Sequence, residues 1–280
     1  MISIQPSAAE KQRGALSPEH LSEALAAIRD DGIVALRQVV SDASIDALRE
    51  KMLADLKTVE AARGIDKNYQ GVRPPPFHPY LFRDILLNDI VISLTHALLG
   101  DGVYNGAYHA NSSFPGSPVQ HVHADLGHLF PGVVDPHPCC SAAINIPLCD
   151  TDERNGATEY WPGTHREIGP VYNRGLMISP QALEQRRDQR PPERMACRQG
   201  DVIVRDMRMW HRGVTNRSDV PRIMISMIQQ SPWMAGGPID FQKGSEEFLQ
   251  HPVLATRAVF ADPPIDYLYQ GQNPNKKSKR

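Results

Sequence analysis

Apolar residues recur at helical spacing in three stretches of the first hundred residues. The first, "SPEHLSEALAAIRDDG", opens with a serine that suits an N-cap and a proline that suits the first helical position, and it stops at a glycine. A second amphipathic stretch starts at Ser41, and a third, "NDIVISLTHALLG", stops at Gly100. This pattern predicts three helices, with the short β-branched run "IVALR" as a strand between the first two.

The pattern changes after residue 103, where short apolar or alternating runs replace the helical spacing. The runs "VYNGAYHA", "SAAINIPL", "DVIVRDMR" and "RIMISMI" are separated by clusters of Pro, Gly, Asn and Asp, which favours an antiparallel sandwich or barrel. We therefore expect a mainly β protein with flanking helices, in which the N-terminal helices pack on one sheet. We expect residues 1–280 to form one domain, with residues 1–16 and 271–280 as flexible tails.

Composition narrows the functional classes. A formal net charge of −2 and a pI near 6.6 provide no basic surface for nucleic acid or for an anionic membrane. The start of the chain lacks the apolar core of a secretory signal, and no apolar run approaches the roughly 18 residues of a membrane span. Four cysteines without a CxxC motif are typical of buried free thiols. We expect a soluble, cytoplasmic protein for which a homodimer is a candidate oligomeric state.

The segment "QHVHADLGH", residues 120–128, concentrates histidine and aspartate, which are common ligands of catalytic metals. In a strand, side chains alternate, so His121, His123 and Asp125 would point to the same face. Two pairs of ligands are then open: the His-x-His of a cupin and the His-x-Asp of another kind of metal site.

Downstream, His211 ends a predicted strand, and Arg222 opens the next strand eleven residues later. Two histidines and one carboxylate on Fe(II) leave coordination positions open. A nearby arginine can grip the far carboxylate of a 2-oxoacid through two parallel hydrogen bonds. This order therefore favours a mononuclear iron site with a 2-oxoacid cosubstrate.

The motifs "HAD", "NGATEYWPGTHR" and "WHRGVTNRSDVPR" follow one another in an order and spacing that resembles the phytanoyl-CoA dioxygenase family of Fe(II)/2-oxoglutarate oxygenases. The resemblance extends over roughly residues 20–235. It implies a double-stranded β-helix (jelly roll, cupin-like) core that uses Fe(II), 2-oxoglutarate and O2. It also implies that His123, Asp125 and His211 hold the iron and that Arg222 holds the 2-oxoglutarate C5 carboxylate.

The same resemblance implies cosubstrate contacts for Gln120 and Thr158. One position departs from the family, because some members have a hydroxyl residue two positions after the distal histidine and this chain has Gly213 there. Thr158 or Ser226 are the candidates to replace that hydrogen bond.

Several residues have simpler interpretations. His121 and His128 are then surface residues or neighbours of the ligands. His165 follows the turn signal "WPGT" and is expected in an exposed loop. His109 is expected as a hydrogen-bonded interior residue. Trp210 alternates with His211 and is expected in the core.

The implied reaction oxidises an unactivated C–H bond and releases succinate and CO2, with hydroxylation, desaturation, ring expansion or endoperoxide formation as outcomes. We expect the substrate pocket to use Tyr69 and Phe77 in the loop at 67–80. Trp233 would join them, in a segment that Gly236 and Gly237 let move as a lid. No cluster of Lys and Arg suits a coenzyme A phosphate, so a free, largely apolar small molecule such as a natural-product intermediate is favoured.

Three alternatives remain open. One is a fatty acyl-CoA hydroxylase of the same family. Another is a cupin-type metalloenzyme that uses His121, His123 and His211 without 2-oxoglutarate. The last is a non-catalytic binding protein on the same scaffold.

Overall fold

The computed structural model describes residues 1–63, 72–130, 132–168, 172–173 and 176–268. Its helices are α1 (Ala8–Arg13), α2 (Pro18–Asp31), α3 (Asp42–Arg63), α4 (Arg83–Leu86), α5 (Asp89–Leu99) and α6 (Pro180–Gln189). Its strands are β1 (Ile2–Ile4), β2 (Ile33–Leu36), β3 (Tyr104–Ser113), β4 (Ser141–Pro147), β5 (Glu159–Tyr160), β6 (Tyr172–Asn173), β7 (Met177–Ile178), β8 (Glu193–Arg194), β9 (Val202–Asp206), β10 (His211–Arg212), β11 (Arg222–Gln230), β12 (Ile239–Gln242), β13 (Ala255–Thr256) and β14 (Ala258–Ala261).

The three helices predicted from periodicity are present as α2, α3 and α5, and "IVALR" forms β2. Helix α2 begins as its sequence predicts: the Ser17 hydroxyl accepts a hydrogen bond from the His20 backbone N–H, and Gly32 ends the helix in the left-handed conformation. The mainly β architecture with flanking helices is therefore confirmed.

A seven-stranded sheet, in the order β1-β2-β9-β4-β11-β3-β13, forms the centre of the molecule. A smaller sheet, β10-β5-β8, carries one of the predicted metal ligands, and β12-β14 and β6-β7 are two-stranded. Strand β11 pairs antiparallel with both β3 and β4, so the longest strands lie side by side. Within the described part of the chain, the sheets do not close into a barrel.

The two faces of the seven-stranded sheet have different surroundings: one packs in the apolar core, and the other lines a cavity. On β11, Ile223, Ile225 and Met227 belong to a core that also contains apolar residues of α2, α3 and α5. The alternate residues of β11, which begin with Arg222, line a cavity on the other face. Strand alternation thus places helices on one face and polar chemistry on the other.

The expectation of a flexible tail at residues 1–16 is wrong. Ile2–Ile4 pair parallel with β2, and the Met1 ammonium lies 2.8 Å from Glu193 Oε2. Ser7 and Glu10 form a capping box that starts α1. Pairing and capping fix this segment because its backbone groups have partners. The predicted tail at 271–280 lies outside the described residues.

No helix among the described residues is long and apolar enough to cross a membrane. The four cysteines are free thiols.

Candidate metal centre and its cavity

Two backbone contacts bring the predicted ligands together. His123 and His211 exchange backbone hydrogen bonds of 3.0 and 2.9 Å, and the Asp125 N–H donates to Met207 O at 3.0 Å. As a result, one ligand atom from each of His123, Asp125 and His211 lies within 4.8 Å of the others. Asp125 Oδ1 is 3.9 Å from His123 Nε2, and Oδ2 is 3.6 Å from His211 Nε2. His211 lies 88 positions after His123 and 86 positions after Asp125 in the chain.

Each histidine of the cluster is oriented by its own backbone surroundings. His123 Nδ1 lies 2.9 Å from His121 O, and His211 Nδ1 lies 3.1 Å from Met209 O. A carbonyl oxygen accepts, so both Nδ1 atoms carry the proton and both Nε2 lone pairs are available. Metal-binding histidines usually show this arrangement. The donor set therefore fits a divalent transition metal such as Fe(II).

The charges of the cluster are set by burial and by one arginine. Burial favours the protonated carboxyl of Asp125, but Arg205, at 2.5 Å from Asp125 Oδ2, and the neighbouring histidines hold its pKa below the usual range. Burial, with Arg205 as the next cause, lowers the pKa of His211 to about 3. Asp125 is thus a carboxylate and His211 a neutral imidazole, which are the states that bind metals.

The predicted strand at residues 120–125 is not present, because only an isolated bridge at His123 pairs this segment with His211 and Met177. His121 is exposed, and only its carbonyl oxygen contacts the cluster. The common face expected for His121, His123 and Asp125 is therefore wrong for His121. The cupin-type set with three histidines is not favoured by this geometry.

A cavity of about 400 Å³ extends from the metal cluster to Arg222. Arg222 is 4% exposed, and its Nη2 donates to Gly156 O at 3.1 Å. Within the described residues it forms no ion pair, and burial lowers its pKa. A buried cation is unfavourable without a partner, so the end of the cavity at Arg222 is suited to an anionic group of a ligand.

The family model for phytanoyl-CoA dioxygenase (PhyH) matches residues 28–224, which include every member of the metal cluster and Arg222. The chain belongs to the phytanoyl-CoA dioxygenase family. A curated relative, dioxygenase af480 of Aspergillus fumigatus, is 29% identical over 234 residues, which are 77% of this chain and 68% of the relative.

Two solved structures share the cupin-type fold of this family member. AviO1 from Streptomyces viridochromogenes Tue57 aligns with a TM-score of 0.57 at 22% identity, over 78% of this chain and 97% of that one. SnoK, a non-heme α-ketoglutarate-dependent carbocyclase from nogalamycin biosynthesis, aligns with a TM-score of 0.55 at 20% identity, over 81% of this chain and 87% of that one. At these identities the likeness shows the fold, and the double-stranded β-helix prediction is confirmed.

Gln120 and Thr158, the two further residues that the family resemblance implied, both line the cavity. Gln120 Oε1 accepts a hydrogen bond from the Gly213 N–H at 2.8 Å. A Cβ at Gly213 would lie 2.8 Å from the same oxygen, so the Gln120 amide fills the space that a hydroxyl side chain would need. Where some family members have a hydroxyl residue, this chain thus has Gly213 with the Gln120 side chain packed against it.

The residues expected to contact substrate lie elsewhere. Phe77 packs edge-on against Tyr80 and Tyr267 and does not line the cavity. Trp233 is 62% exposed and lines a second cavity next to Phe130. Both predictions rested on loop position alone, and the loops turn these rings towards other surfaces. Tyr69 lies outside the described residues.

Two histidines differ from their sequence interpretations. His165 is buried rather than exposed, because the "WPGT" turn folds onto α2 and His165 Nε2 lies 3.1 Å from Arg29 O. His109 lies within β3 and lines the cavity, and no hydrogen bond joins its ring to another described residue. Burial and, secondarily, Arg73 lower the pKa of His109, so its ring is neutral. Trp210 is buried in the core as expected.

Sequence reasoning missed several polar residues of the cavity, among them Arg205 and Asn145. Arg205 is a charged residue that directly follows the apolar run "VIV" within β9, and this position is the signal that distinguishes it in the sequence. Asn145 carries a similar signal in "SAAINIPL".

Proposed function

We propose that this family member is an Fe(II)- and 2-oxoglutarate-dependent dioxygenase that oxidises an unactivated C–H bond of a small molecule and releases succinate and CO2. The observation that carries the proposal is the joint presence, in one cavity, of the His123–Asp125–His211 cluster and the buried Arg222 without an ion-pair partner among the described residues. A bound metal ion would use the ligand atoms of the cluster, and the far carboxylate of a dicarboxylic acid would balance the charge of Arg222.

The roles of the side chains follow from their surroundings. His123 and His211 would bind the metal through Nε2, and Asp125 would bind as a carboxylate. Bound Fe(II), with 2-oxoglutarate and O2, supplies the oxidising power for C–H cleavage. Arg222 would balance the charge of the C5 carboxylate and fix the orientation of 2-oxoglutarate.

The cavity lining bears on the substrate. His109 and Asn111 line it on β3, and neither side chain forms a hydrogen bond with another described residue. Because these two half-buried side chains face the cavity with unused hydrogen-bonding groups, we infer that the substrate carries an oxygen function that pairs with this wall. A largely apolar substrate is less well suited to it. SnoK, which shares the fold, comes from nogalamycin biosynthesis, and a natural-product intermediate is the substrate class that we propose.

A succinate assay tests the proposal. Purified protein with Fe(II), 2-oxoglutarate, ascorbate and O2 should release succinate even without substrate, and a chelator should abolish the release. Asp125→Ala should lower the rate at least tenfold, since the ligand is lost. His121→Ala is the matched control and should keep the wild-type rate, because the His121 side chain is exposed.

Wild-type protein that releases no succinate would contradict the proposal, as would Asp125→Ala protein with the wild-type rate. Metal binding that is lost in His121→Ala but kept in Asp125→Ala would favour the cupin-type alternative instead. The acyl-CoA hydroxylase alternative stays a prediction that substrate assays can test.

A further inference from the structure

Arg205 is a charged side chain enclosed in the central sheet beside the metal cluster. It lies on β9 between β2 and β4, and 5% of its surface is exposed. Burial of a guanidinium costs free energy unless its donors are paired. The hydrogen-bond partners of Arg205 therefore indicate which interactions offset the free-energy cost of its burial.

The guanidinium joins the ligand carboxylate to the sheet. Nη2 donates to Asp125 Oδ2 at 2.5 Å, and Nε donates to Asn145 Oδ1 at 3.2 Å. The Asn145 amide in turn donates to Ser226 Oγ at 3.3 Å. Strands β9, β4 and β11 thus hold one planar group at a fixed distance from Asp125.

The two oxygens of Asp125 are consequently unequal. Oδ2 is held by Arg205, whereas Oδ1 accepts no hydrogen bond from any described residue. A carboxylate binds a metal through two oxygens only when both are available. The charge-assisted bond to Arg205 opposes that mode.

We propose that Arg205 is a positioning residue that occupies one oxygen of Asp125, so that Asp125 gives the metal a single ligand atom. This inference rests on the proposed function. Three protein atoms on Fe(II) leave three positions, of which 2-oxoglutarate takes two and O2 one. A second oxygen from Asp125 would remove one of these positions, and 2-oxoglutarate would bind more weakly.

Mn(II) alone is a suitable probe because its exchangeable waters can be counted by water-proton relaxation. Wild-type protein with Mn(II) should retain about three such waters, and 2-oxoglutarate should displace about two of them. Arg205→Met should retain about two waters and bind 2-oxoglutarate at least about tenfold more weakly, while Mn(II) still binds. Asn145→Ala, which frees the guanidinium from one anchor, should show the same changes at smaller size.

Arg37→Met is the matched control. Arg37 pairs with an aspartate, Asp201, at the same distance of 2.5 Å, but neither residue lines the cavity. This variant should lose a similar amount of thermal stability and keep both the wild-type water number and the wild-type affinity for 2-oxoglutarate.

The outcomes separate the inference from the proposed function. If wild-type protein binds Mn(II) and 2-oxoglutarate, and Arg205→Met and Asn145→Ala keep its water number and affinity, the positioning role is wrong while the proposed function stands. If Arg205→Met does not fold, Asn145→Ala decides by the same measurements. Wild-type protein that binds neither Mn(II) nor 2-oxoglutarate would contradict the proposed function and the inference together.

Discussion

Arg205 and Arg222 are both buried in the cavity, but their charges are balanced differently. Arg205 faces the Asp125 carboxylate, whereas Arg222 contacts the carbonyl oxygen of Gly156 and forms no ion pair with a described residue. A buried guanidinium with only a carbonyl partner retains donors for a second, anionic group. This difference assigns the two arginines to different ligands in our proposal.

Substitution of Arg222 tests this assignment at the level of one residue. Arg222→Met should raise the dissociation constant for 2-oxoglutarate about 30-fold or more, because loss of a buried charged partner costs about 2–5 kcal/mol. Metal affinity should be unchanged, since Arg222 does not contact the cluster. Calorimetric titration with Mn(II) and then with 2-oxoglutarate measures both quantities.

Arg217→Met serves as the control for that experiment, because Arg217 is an exposed arginine in the turn before β11. It should bind 2-oxoglutarate like the wild-type protein. Equal 2-oxoglutarate affinity in Arg222→Met and Arg217→Met would show that Arg222 does not bind the cosubstrate.

Individual site residues could be predicted where a motif fixes their spacing. The "HAD" segment, the distal His211 and the following Arg222 were found in this way, and the structure places them in one cavity. Arg205 and Asn145 could not be assigned, because their contacts depend on which strands become neighbours in the sheet. The order β9-β4-β11 is a property of the tertiary fold and leaves no fixed spacing in the sequence.

At the level of elements, long periodic patterns were sufficient to predict helices, whereas the structure of short irregular segments could not be predicted. Helices α2, α3 and α5 have faces that bury apolar residues, so their periodicity is visible in the sequence. The segment at residues 120–125 alternates in the same way as a strand, but it forms bridges only at His123, because its partners β10 and β7 are strands of two residues. The "SAAE" capping box of α1 was present in the sequence and was overlooked.

The start of the chain offers a test at this scale. Glu10 is buried, and its carboxylate accepts hydrogen bonds from the Ser7 and Ser17 N–H groups at 2.7 and 2.6 Å. Burial opposes its ionisation, but these bonds prevail and lower its pKa to about 2 from 4.5. A folded-state pKa below the unfolded value means that ionised Glu10 stabilises the fold above pH 4.5, and that this contribution is lost as the pH falls towards 2.

Glu10→Gln should therefore lower the free energy of unfolding by about 1–3 kcal/mol at pH 7, and the difference from wild type should shrink between pH 4.5 and pH 2. Urea unfolding at a series of pH values measures it. The control is Glu23→Gln, at an exposed position of α2. A pH-independent difference for Glu10→Gln would show that ionised Glu10 does not contribute as described.

At the scale of the whole molecule, the two faces of the seven-stranded sheet differ: one contributes to the stability of the fold, and the other lines the candidate site. One face packs against the helices with apolar residues, and the other face presents Arg205, Asn145 and Arg222 to the cavity. The mainly β class could be predicted from alternating runs, and the jelly-roll topology followed from the family resemblance. Which loop lines which cavity could not be predicted, as Phe77 and Trp233 show, because loop conformation depends on tertiary contacts.

The most direct test of the account is the visible spectrum of the protein with Fe(II) and 2-oxoglutarate in the absence of O2. Chelation of Fe(II) by the 2-oxoacid at the His123–Asp125–His211 cluster should produce a weak metal-to-ligand charge-transfer band. The band should disappear in Asp125→Ala and require higher 2-oxoglutarate concentrations in Arg222→Met. Wild-type protein that forms no such band with saturating Fe(II) and 2-oxoglutarate would contradict the account.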